Sequence, residues 1–203
     1  MRRDELGRIA VFLDRDGTVN REVGYLSDRT RLALYPDAGE AIRTLNRLGV
    51  KVVLVSNQSG VGRGFFPPEA VEEVNAELRR LLGRLGANLD AIYWCSHVPE
   101  DGCDCRKPEP GQVRRAEREL GIDPRRSYVV GDRTSDLELA RQVGAKSVLV
   151  LTGYGKKVYE GGARADYVAR GLGDAVQWIV KDLGEEQHGN KCDGLARAPF
   201  RRS

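Results

Sequence analysis

The chain lacks the features that mark secreted, membrane-spanning and nucleic-acid-binding proteins. Its 203 residues include only four cysteines, and no run approaches the roughly 18 uninterrupted apolar residues of a membrane span. Charged residues interrupt the amino-terminal stretch where a secretory signal has its apolar core. The net charge of +3 gives no concentrated basic field. We therefore expect a cytoplasmic protein whose partners include neither a membrane nor a nucleic acid.

The length and composition predict one globular domain of ordinary size. Hydrophobic residues make up 40% of the chain, which is enough for a core of normal proportions. The last stretch, residues 184–203, mixes glycine, charge and isolated apolar side chains without any period. We predict a single domain over residues 1–183, followed by a flexible tail over 184–203. A compact domain of this size gives no reason to expect more than a monomer.

Short apolar runs alternate along the chain with segments of helical periodicity. Five runs rich in Val, Ile and Leu predict strands buried on both faces, at 9–13, 50–55, 91–94, 128–130 and 147–151. Four intervening segments predict amphipathic helices, at 38–48, 67–85, 110–120 and 135–143. This alternation predicts an α/β fold of three layers, an open, parallel, Rossmann-like sheet with helices on both faces.

Polar side chains follow four of the predicted strands. Ligands of open α/β sheets bind beyond the carboxyl ends of the strands, so these positions are candidates for a site. Taken singly, each of them could be an ordinary solvated loop residue. Together they would meet at one edge of the sheet: Asp14 and Asp16, Ser56, Lys107, and Asp132 and Asp136. Closely spaced carboxylates repel each other, which favours a cation or a substrate proton between them.

These strand ends resemble the haloacid dehalogenase superfamily of phosphotransferases. The resemblance spans roughly residues 9–181, and its four motifs match Asp14-x-Asp16-Gly17-Thr18, Ser56, Lys107 and Asp132-x-x-x-Asp136. It implies a fold of the haloacid dehalogenase type and a phosphatase activity. It also implies a catalytic Mg²⁺ held by the carboxylates of Asp14 and Asp132 and by the backbone carbonyl of Asp16.

The superfamily's chemistry implies a role for each motif residue. Asp14 would be the nucleophile that forms an aspartyl-phosphate, and Asp16 the general acid and base. Ser56 and Lys107 would hold the phosphoryl oxygens as charge redistributes. We interpret Asp136 as a residue that supports this edge of the site without itself binding the metal.

The spacing of the motifs leaves no room for a cap domain, which many members insert after the first or second motif. Only residues 17–55 separate Asp16 from Ser56, and only residues 57–106 separate Ser56 from Lys107. Each interval is filled by a helix, a strand and their turns. We therefore predict an open site shaped by short loops.

Three of the four cysteines lie with a histidine in a segment of eleven residues. Three thiolates and an imidazole form a common tetrahedral zinc set, which leaves no open position for water. Free thiols or a strained disulfide are the alternatives. We predict a short loop with a structural Zn²⁺, which would fix the segment leading into Lys107. Its ligands would be Cys95, His97, Cys103 and Cys105.

The zinc loop followed by Arg106-Lys107-Pro108 resembles two groups of small phosphatases within the superfamily. One acts on the C7 phosphate of D-glycero-D-manno-heptose 1,7-bisphosphate, in nucleotide-activated heptose biosynthesis, and the other acts on histidinol phosphate. The segments 20–25 and 57–66 resemble the heptose group. That resemblance implies a small sugar bisphosphate as the substrate, lined by Arg15, Glu22, Val23, Gly24, Tyr25, Ser56, Asn57, Gln58, Ser59, Arg106, Lys107 and Arg133.

Other readings of the sequence remain open. Histidinol phosphate or another small sugar phosphate is an alternative substrate. A signalling receiver domain also phosphorylates an aspartate beside Mg²⁺, but receivers are much shorter and carry no zinc loop. A zinc-stabilised module that only binds a phospho-ligand would not need Asp16 in addition to Asp14.

Overall fold

The computed structural model describes residues 3–192 of the chain and the side chains of residues 5–185. Its strands are β1 (Ala10–Leu13), β2 (Lys51–Asn57), β3 (Ala91–Cys95), β4 (Tyr128–Gly131), β5 (Lys146–Val150) and β6 (Tyr167–Ala169). They form one sheet in the order β3-β2-β1-β4-β5-β6, and every neighbouring pair is parallel. The predicted open parallel α/β sheet is confirmed.

Over the described residues, eight α-helices connect or flank these strands. They are α1 (Arg3–Leu6), α2 (Ala38–Leu48), α3 (Ser59–Gly62), α4 (Pro68–Arg84), α5 (Gly111–Leu120), α6 (Thr134–Val143), α7 (Gly155–Glu160) and α8 (Leu172–Cys192). The four predicted helices correspond to α2, α4, α5 and α6. Helix α2 ends at Gly49, whose φ of 80° is a left-handed conformation that glycine adopts at little cost.

The sheet separates two apolar cores. Along β1, Val11 and Leu13 face a core that includes residues of α2, α4 and α8. Ala10 and Phe12 face the opposite core, which includes residues of α5 and α6. Successive side chains of a strand point to opposite faces, so a run of apolar residues without alternation fills both cores at once. Helices therefore cover both faces, as the predicted three layers require.

The strand order places a topological switch point between β1 and β4. From β1 the chain builds β2 and β3 on one side, and it then crosses to build β4, β5 and β6 on the other. Loops that leave neighbouring strands at such a point diverge and open a crevice for ligands. The main-chain N–H of Asp14 donates to the carbonyl oxygen of Val130 at 2.9 Å, which keeps the ends of β1 and β4 side by side.

The connections beside this crevice contain no separate cap. The segment from β1 to α2, residues 14–37, holds only loops and a 3₁₀ turn at Arg29–Arg31. The segment from β2 to α4, residues 58–67, holds only the single turn of α3. The predicted open site is confirmed.

The sequence prediction missed strand β6 and helices α1, α3, α7 and α8. Strand β6 has only three residues, too few to show a pattern. Helix α8 buries Leu172, Ala175, Val176 and Ile179 at helical spacing. It also continues to Cys192, past the predicted start of the tail, and residues 193–203 lie outside the described residues. The division at residue 183 stays a prediction. None of the helices described over residues 3–192 has the length and apolar character needed to cross a membrane.

Candidate active site

Three carboxyl groups converge at the switch point. Asp14 follows β1, Asp132 follows β4, and Asp136 lies in the first turn of α6. Each offers a carboxylate oxygen, and these oxygens lie within 4.8 Å of one another. The three residues are 6%, 0% and 1% exposed, so solvent does little to screen their charges.

The electrostatics of this cluster favour a bound cation. Burial raises the pKa of Asp14 to about 6, against the opposing attraction of Lys107. Burial, joined by repulsion from Asp14, raises the pKa of Asp132 to about 7. Oδ1 of Asp132 is buried and accepts no hydrogen bond from any described residue. A hard divalent cation such as Mg²⁺ fits this set of carboxylate oxygens, because it would offset their repulsion and satisfy the free oxygen.

Lys107 lies between two of these carboxylates. Its Nζ atom is 2.8 Å from Oδ1 of Asp14 and 2.7 Å from Oδ1 of Asp136. Burial alone would lower the pKa of Lys107, but the two carboxylates outweigh that effect and leave the pKa above its usual value. The lysine is therefore charged, and it bridges the carboxylates of Asp14 and Asp136. Oδ2 of Asp136 also accepts the main-chain N–H of Arg133 at 3.0 Å.

The end of β2 contributes Ser56, which is 2% exposed. Its hydroxyl accepts a hydrogen bond of 2.7 Å from Nε2 of Gln58. The next residue, Asn57, uses its side-chain amide to hold the main chain of Lys107 at both N–H and carbonyl. Asn57 therefore links the end of β2 directly to the main chain of Lys107.

Asp16 stands at the edge of the cleft, with its side chain 14% exposed. Its Oδ1 accepts from Nδ2 of Asn20 at 2.9 Å, and its Oδ2 accepts from Nε2 of Gln58 at 3.0 Å. The same Gln58 amide therefore contacts the predicted acid and base and the predicted phosphoryl-binding serine. These contacts fix the carboxylate of Asp16 in one orientation.

The structure corrects the prediction that Arg15 lines the substrate. Its side chain is fully buried, and Nε and Nη2 donate to Oδ2 of Asp16 at 3.1 and 2.8 Å. Nη2 also donates to Oε1 of Gln58 at 3.0 Å, and Nη1 donates to Oδ1 of Asn75 at 3.1 Å. Because its donors have partners inside the protein, the guanidinium orients Asp16 and does not face the cleft.

The cleft in front of these groups has a volume of about 410 Å³. The predicted residues that line it are Asp14, Asp16, Glu22, Gly24, Tyr25, Ser56, Asn57, Gln58, Ser59, Arg106, Lys107 and Arg133. Val23 was predicted to line it as well, but its apolar side chain packs against the core instead.

One wall of the cleft is built around Arg133. Its Nη2 atom donates to Oε2 of Glu22 at 2.9 Å, and its guanidinium lies 4.1 Å from the centre of the Tyr154 ring. The main-chain N–H of Tyr154 in turn donates to Oδ2 of Asp132 at 2.7 Å. The arginine is therefore held in position beside the acidic cluster by an ion pair and a cation–π contact.

The predicted zinc ligands also converge. Sγ of Cys95 lies 3.4 Å from Nδ1 of His97 and 2.9 Å from Sγ of Cys105, and Nδ1 of His97 lies 3.3 Å from Sγ of Cys105. Sγ of Cys103 lies 3.6 and 3.5 Å from the sulfurs of Cys95 and Cys105. None of these three cysteines forms a disulfide bond, which sets the strained-disulfide alternative aside. Four ligand atoms within 4.8 Å of one another fit one tetrahedral metal ion.

Comparisons with known proteins identify the family. The family model Hydrolase_like, described as HAD-hyrolase-like, matches residues 104–175. The D-glycero-D-manno-heptose-1,7-bisphosphate 7-phosphatase of Thermosynechococcus vestitus is 40% identical over 191 residues, which cover 87% of this chain and 97% of that protein. This chain belongs to the heptose bisphosphate phosphatase family. The corresponding phosphatase of Yersinia pestis is 41% identical over 84% of this chain and 94% of its own length.

A solved structure of this heptose bisphosphate phosphatase family has the same fold. It is the D,D-heptose 1,7-bisphosphate phosphatase of B. bronchiseptica, complexed with magnesium and phosphate. It is 33% identical, matches with a TM-score of 0.81, and covers 86% of this chain and 99% of that one. The fold of the haloacid dehalogenase type and the assignment to the phosphoric monoester hydrolases are confirmed. The receiver and binding-module alternatives are set aside.

Three further residues line the cleft and were absent from the predicted site: Arg63, Ser135 and Tyr154. Tyr154 follows β5. Because ligands of such sheets bind beyond the strand ends, this position is the signal that could have identified it. Arg63 lies in the glycine-rich segment after β2, and Ser135 opens α6 beside Arg133. Both lie beside predicted site residues, but a lone arginine or serine there carries no chemical signature.

Proposed function

We propose that this protein removes the C7 phosphate of D-glycero-D-manno-heptose 1,7-bisphosphate through an aspartyl-phosphate on Asp14. The observation that carries the proposal is the convergence of Asp14, Asp132 and Lys107 behind the cleft, in a chain that matches heptose bisphosphate phosphatases over most of its length. A phosphate monoester is an anion, and so is the attacking carboxylate. The site must therefore offset their repulsion.

Asp14 and Asp132 are the carboxylates that would hold Mg²⁺, together with the backbone carbonyl of Asp16. When bound, this ion supplies the positive charge that brings two anions together and stabilises charge on the phosphoryl oxygens. Lys107 and the Ser56 hydroxyl contact the remaining oxygens. Their positions are set before substrate arrives, by the ion pairs of Lys107 and by the amides of Asn57 and Gln58.

In the first step an oxygen of Asp14 bonds to phosphorus, and the bond from phosphorus to the sugar oxygen breaks. Asp16 gives its proton to that leaving oxygen. In the second step Asp16 takes a proton from water, the water oxygen bonds to phosphorus, and the bond between phosphorus and Asp14 breaks. The fixed orientation of the Asp16 carboxylate serves both transfers, because the same oxygen must face the leaving group and then the water.

The charges of the cleft favour a substrate with two phosphates. Arg63, Arg106 and Arg133 all line it, and Glu22 pairs with Arg133. A bisphosphate leaves one phosphate beyond the reacting centre, where arginines can bind it with paired hydrogen bonds. Histidinol phosphate would instead present an ammonium group to these cations, which is unfavourable.

The cysteine cluster would hold a structural Zn²⁺ through Cys95, His97, Cys103 and Cys105. Burial raises the pKa of the Cys95 thiol, so a cation is needed to keep it as a thiolate. Nη1 of Arg106 donates to the carbonyl oxygen of His97 at 3.1 Å. The metal would thus set the position of Arg106 as well as that of the loop. A monomeric state and a cytoplasmic location stay predictions.

The test of the substrate is a comparison of kcat/KM for the heptose bisphosphate and for histidinol phosphate, both assayed with Mg²⁺. We expect the heptose bisphosphate to be preferred by at least about tenfold, the equivalent of ~1.4 kcal/mol in transition-state binding. Replacing Arg63 with Met should reduce this preference. A preference for histidinol phosphate would contradict the assignment while leaving the phosphatase chemistry intact.

A further inference from the structure

Gln112 joins the two halves of the site through a single buried side chain. It lies in the first turn of α5 and is 3% exposed. Its Nε2 donates to the carbonyl oxygen of Cys105 at 2.9 Å and to the carbonyl oxygen of Ser56 at 3.2 Å. Its Oε1 accepts the main-chain N–H of Ser56 at 3.1 Å. The two polar atoms of the amide thus bind two main-chain segments. One belongs to the cysteine loop, residues 95–105, and the other is the end of β2.

The start of α5 packs closely against the cysteine loop. The main-chain N–H of Gly111 donates to the carbonyl oxygen of Asp104 at 2.8 Å. A Cβ atom at Gly111 would lie only 2.4 Å from that oxygen. Because Asp104 lies between Cys103 and Cys105, a shift of this loop must displace the first turn of α5 and the side chain of Gln112 with it.

We propose that Gln112 is a positioning residue that couples metal binding at the cysteine cluster to phosphoryl binding at Ser56. The inference rests on the proposed zinc site and the proposed role of Ser56. Without the Gln112 amide, the buried N–H and carbonyl of Ser56 and the carbonyl of Cys105 each lose a partner, and buried polar groups without partners are costly. The main chain at Ser56 would then be free to shift, and it would carry the hydroxyl away from the phosphoryl oxygens.

Coupling between two sites is reciprocal, and this gives a readout that a purely structural residue would not move. If metal at the cysteine cluster favours the phosphate-binding position of Ser56, then phosphate at Ser56 must favour retention of that metal. Inorganic phosphate with Mg²⁺ is the probe. We expect it to raise the affinity of the protein for zinc, measured by equilibrium competition with a chromogenic chelator, by about fivefold or more.

The decisive variant is Gln112→Met, which keeps the length of the side chain and removes its polar atoms. The matched control is Gln177→Met, the same change at an exposed position of α8. In Gln112→Met we expect the affinity for zinc to be the same with and without phosphate, and kcat to fall about tenfold with a smaller change in KM. In Gln177→Met both properties should match the unaltered protein. Should Gln112→Met fail to fold, Gln112→Glu replaces it, because Glu keeps the acceptor and loses the donors.

Different outcomes would contradict the zinc site, the coupling between the two sites, or the role of Gln112. A purified protein that folds without zinc would contradict the zinc site and the coupling together. Zinc that is bound, but with an affinity that phosphate does not change, overturns the coupling alone. An equal gain in zinc affinity on adding phosphate, in the unaltered protein and in the Gln112 variant, shows that the coupling takes another route, and that result also overturns the role of Gln112.

Discussion

Gly153 lies directly against the carboxylate of Asp132. A Cβ atom at this glycine would be 2.1 Å from Oδ2 of Asp132 and 2.7 Å from Cα of Gly17. A Cβ atom at Gly17 would likewise be 2.2 Å from the same carboxylate oxygen. Both glycines have positive φ, at 55° and 84°. The loops after β1 and β5 therefore close around Asp132 only because neither of them carries a side chain there.

The first prediction concerns this close approach. Gly153→Ala should displace the Asp132 carboxylate and raise the Mg²⁺ concentration needed for half-maximal activity by about tenfold or more, the equivalent of ~1.4 kcal/mol of binding. The control is Gly162→Ala, since Gly162 also has a positive φ, of 87°, but a Cβ there meets nothing within 4 Å. That change should cost about 1 kcal/mol of stability through backbone strain and leave the Mg²⁺ requirement as it was. Identical Mg²⁺ titrations for the two variants would show that Gly153 has no such role.

The second prediction concerns Asn57. Its Nδ2 donates to the carbonyl oxygen of Lys107 and its Oδ1 accepts the N–H of Lys107, both at 2.9 Å. Asn57→Ala removes both bonds, about 2 kcal/mol in sum, so we expect kcat to fall by about thirtyfold as Lys107 shifts.

Asn46 provides the matched control for that change. Its amide makes the same pair of contacts with the main chain of Asn88, from a half-buried position in α2. Asn46→Ala should lower the melting temperature without lowering kcat. Equal kcat values for the two variants would argue against a positioning role for Asn57.

The third prediction concerns pH. The pKa of Asp132 rises from its ordinary 3.8 to about 7 in the folded, metal-free protein. Between about pH 4 and pH 7 the folded state therefore keeps a proton that the unfolded state has lost, so this group's contribution to stability falls as the pH rises. Protein dialysed against magnesium-free buffer should lose stability relative to Asp132→Asn over this range.

Mg²⁺ should reverse that loss, because it binds the ionised carboxylates. We expect added Mg²⁺ to raise the melting temperature more at pH 7.5 than at pH 5, where protons compete for the same oxygens. Asp132→Asn should show little response to Mg²⁺ at either pH. An equal response at both pH values in the unaltered protein would mean that Mg²⁺ does not bind the acidic cluster.

The fourth prediction concerns the cysteine cluster. Elemental analysis of the purified protein should find about one zinc per chain. Cys105→Ser should lose most of that zinc and lower the melting temperature, because zinc binding at such sites contributes directly to folding. It should also lower phosphatase activity through the loop that carries Arg106 and Lys107. Full activity in a zinc-free Cys105→Ser protein would show that phosphatase activity does not depend on zinc.

The sequence could predict what depends on local pattern. Asp14, Ser56, Lys107 and Asp132 were found because each follows a buried run, and parallel strands bring such positions to one edge of the sheet. The cysteine cluster was found because its ligands are close in sequence. Both groups of side chains do converge in the structure.

What failed depends on partners that are distant in sequence. Arg15 adjoins the predicted nucleophile, yet its guanidinium is buried because Asn75 on α4 and Gln58 after β2 offer it acceptors. Val23 lies between residues of the cleft, yet its side chain packs against the core. The role proposed for Gln112 likewise depends on α5 lying against both β2 and the cysteine loop. No local pattern in the sequence records these contacts.

The most direct test of the central claim is to trap the phosphorylated enzyme. The unaltered protein is mixed with substrate and Mg²⁺, quenched in acid during turnover, and digested for mass spectrometry. Asp14→Asn serves as the control and should stay folded, since it replaces a buried carboxylate with an amide of the same shape. We predict a phosphoryl group on the peptide that contains Asp14, and neither phosphorylation nor phosphate release in the variant. Phosphate release by a folded Asp14→Asn protein would contradict the account.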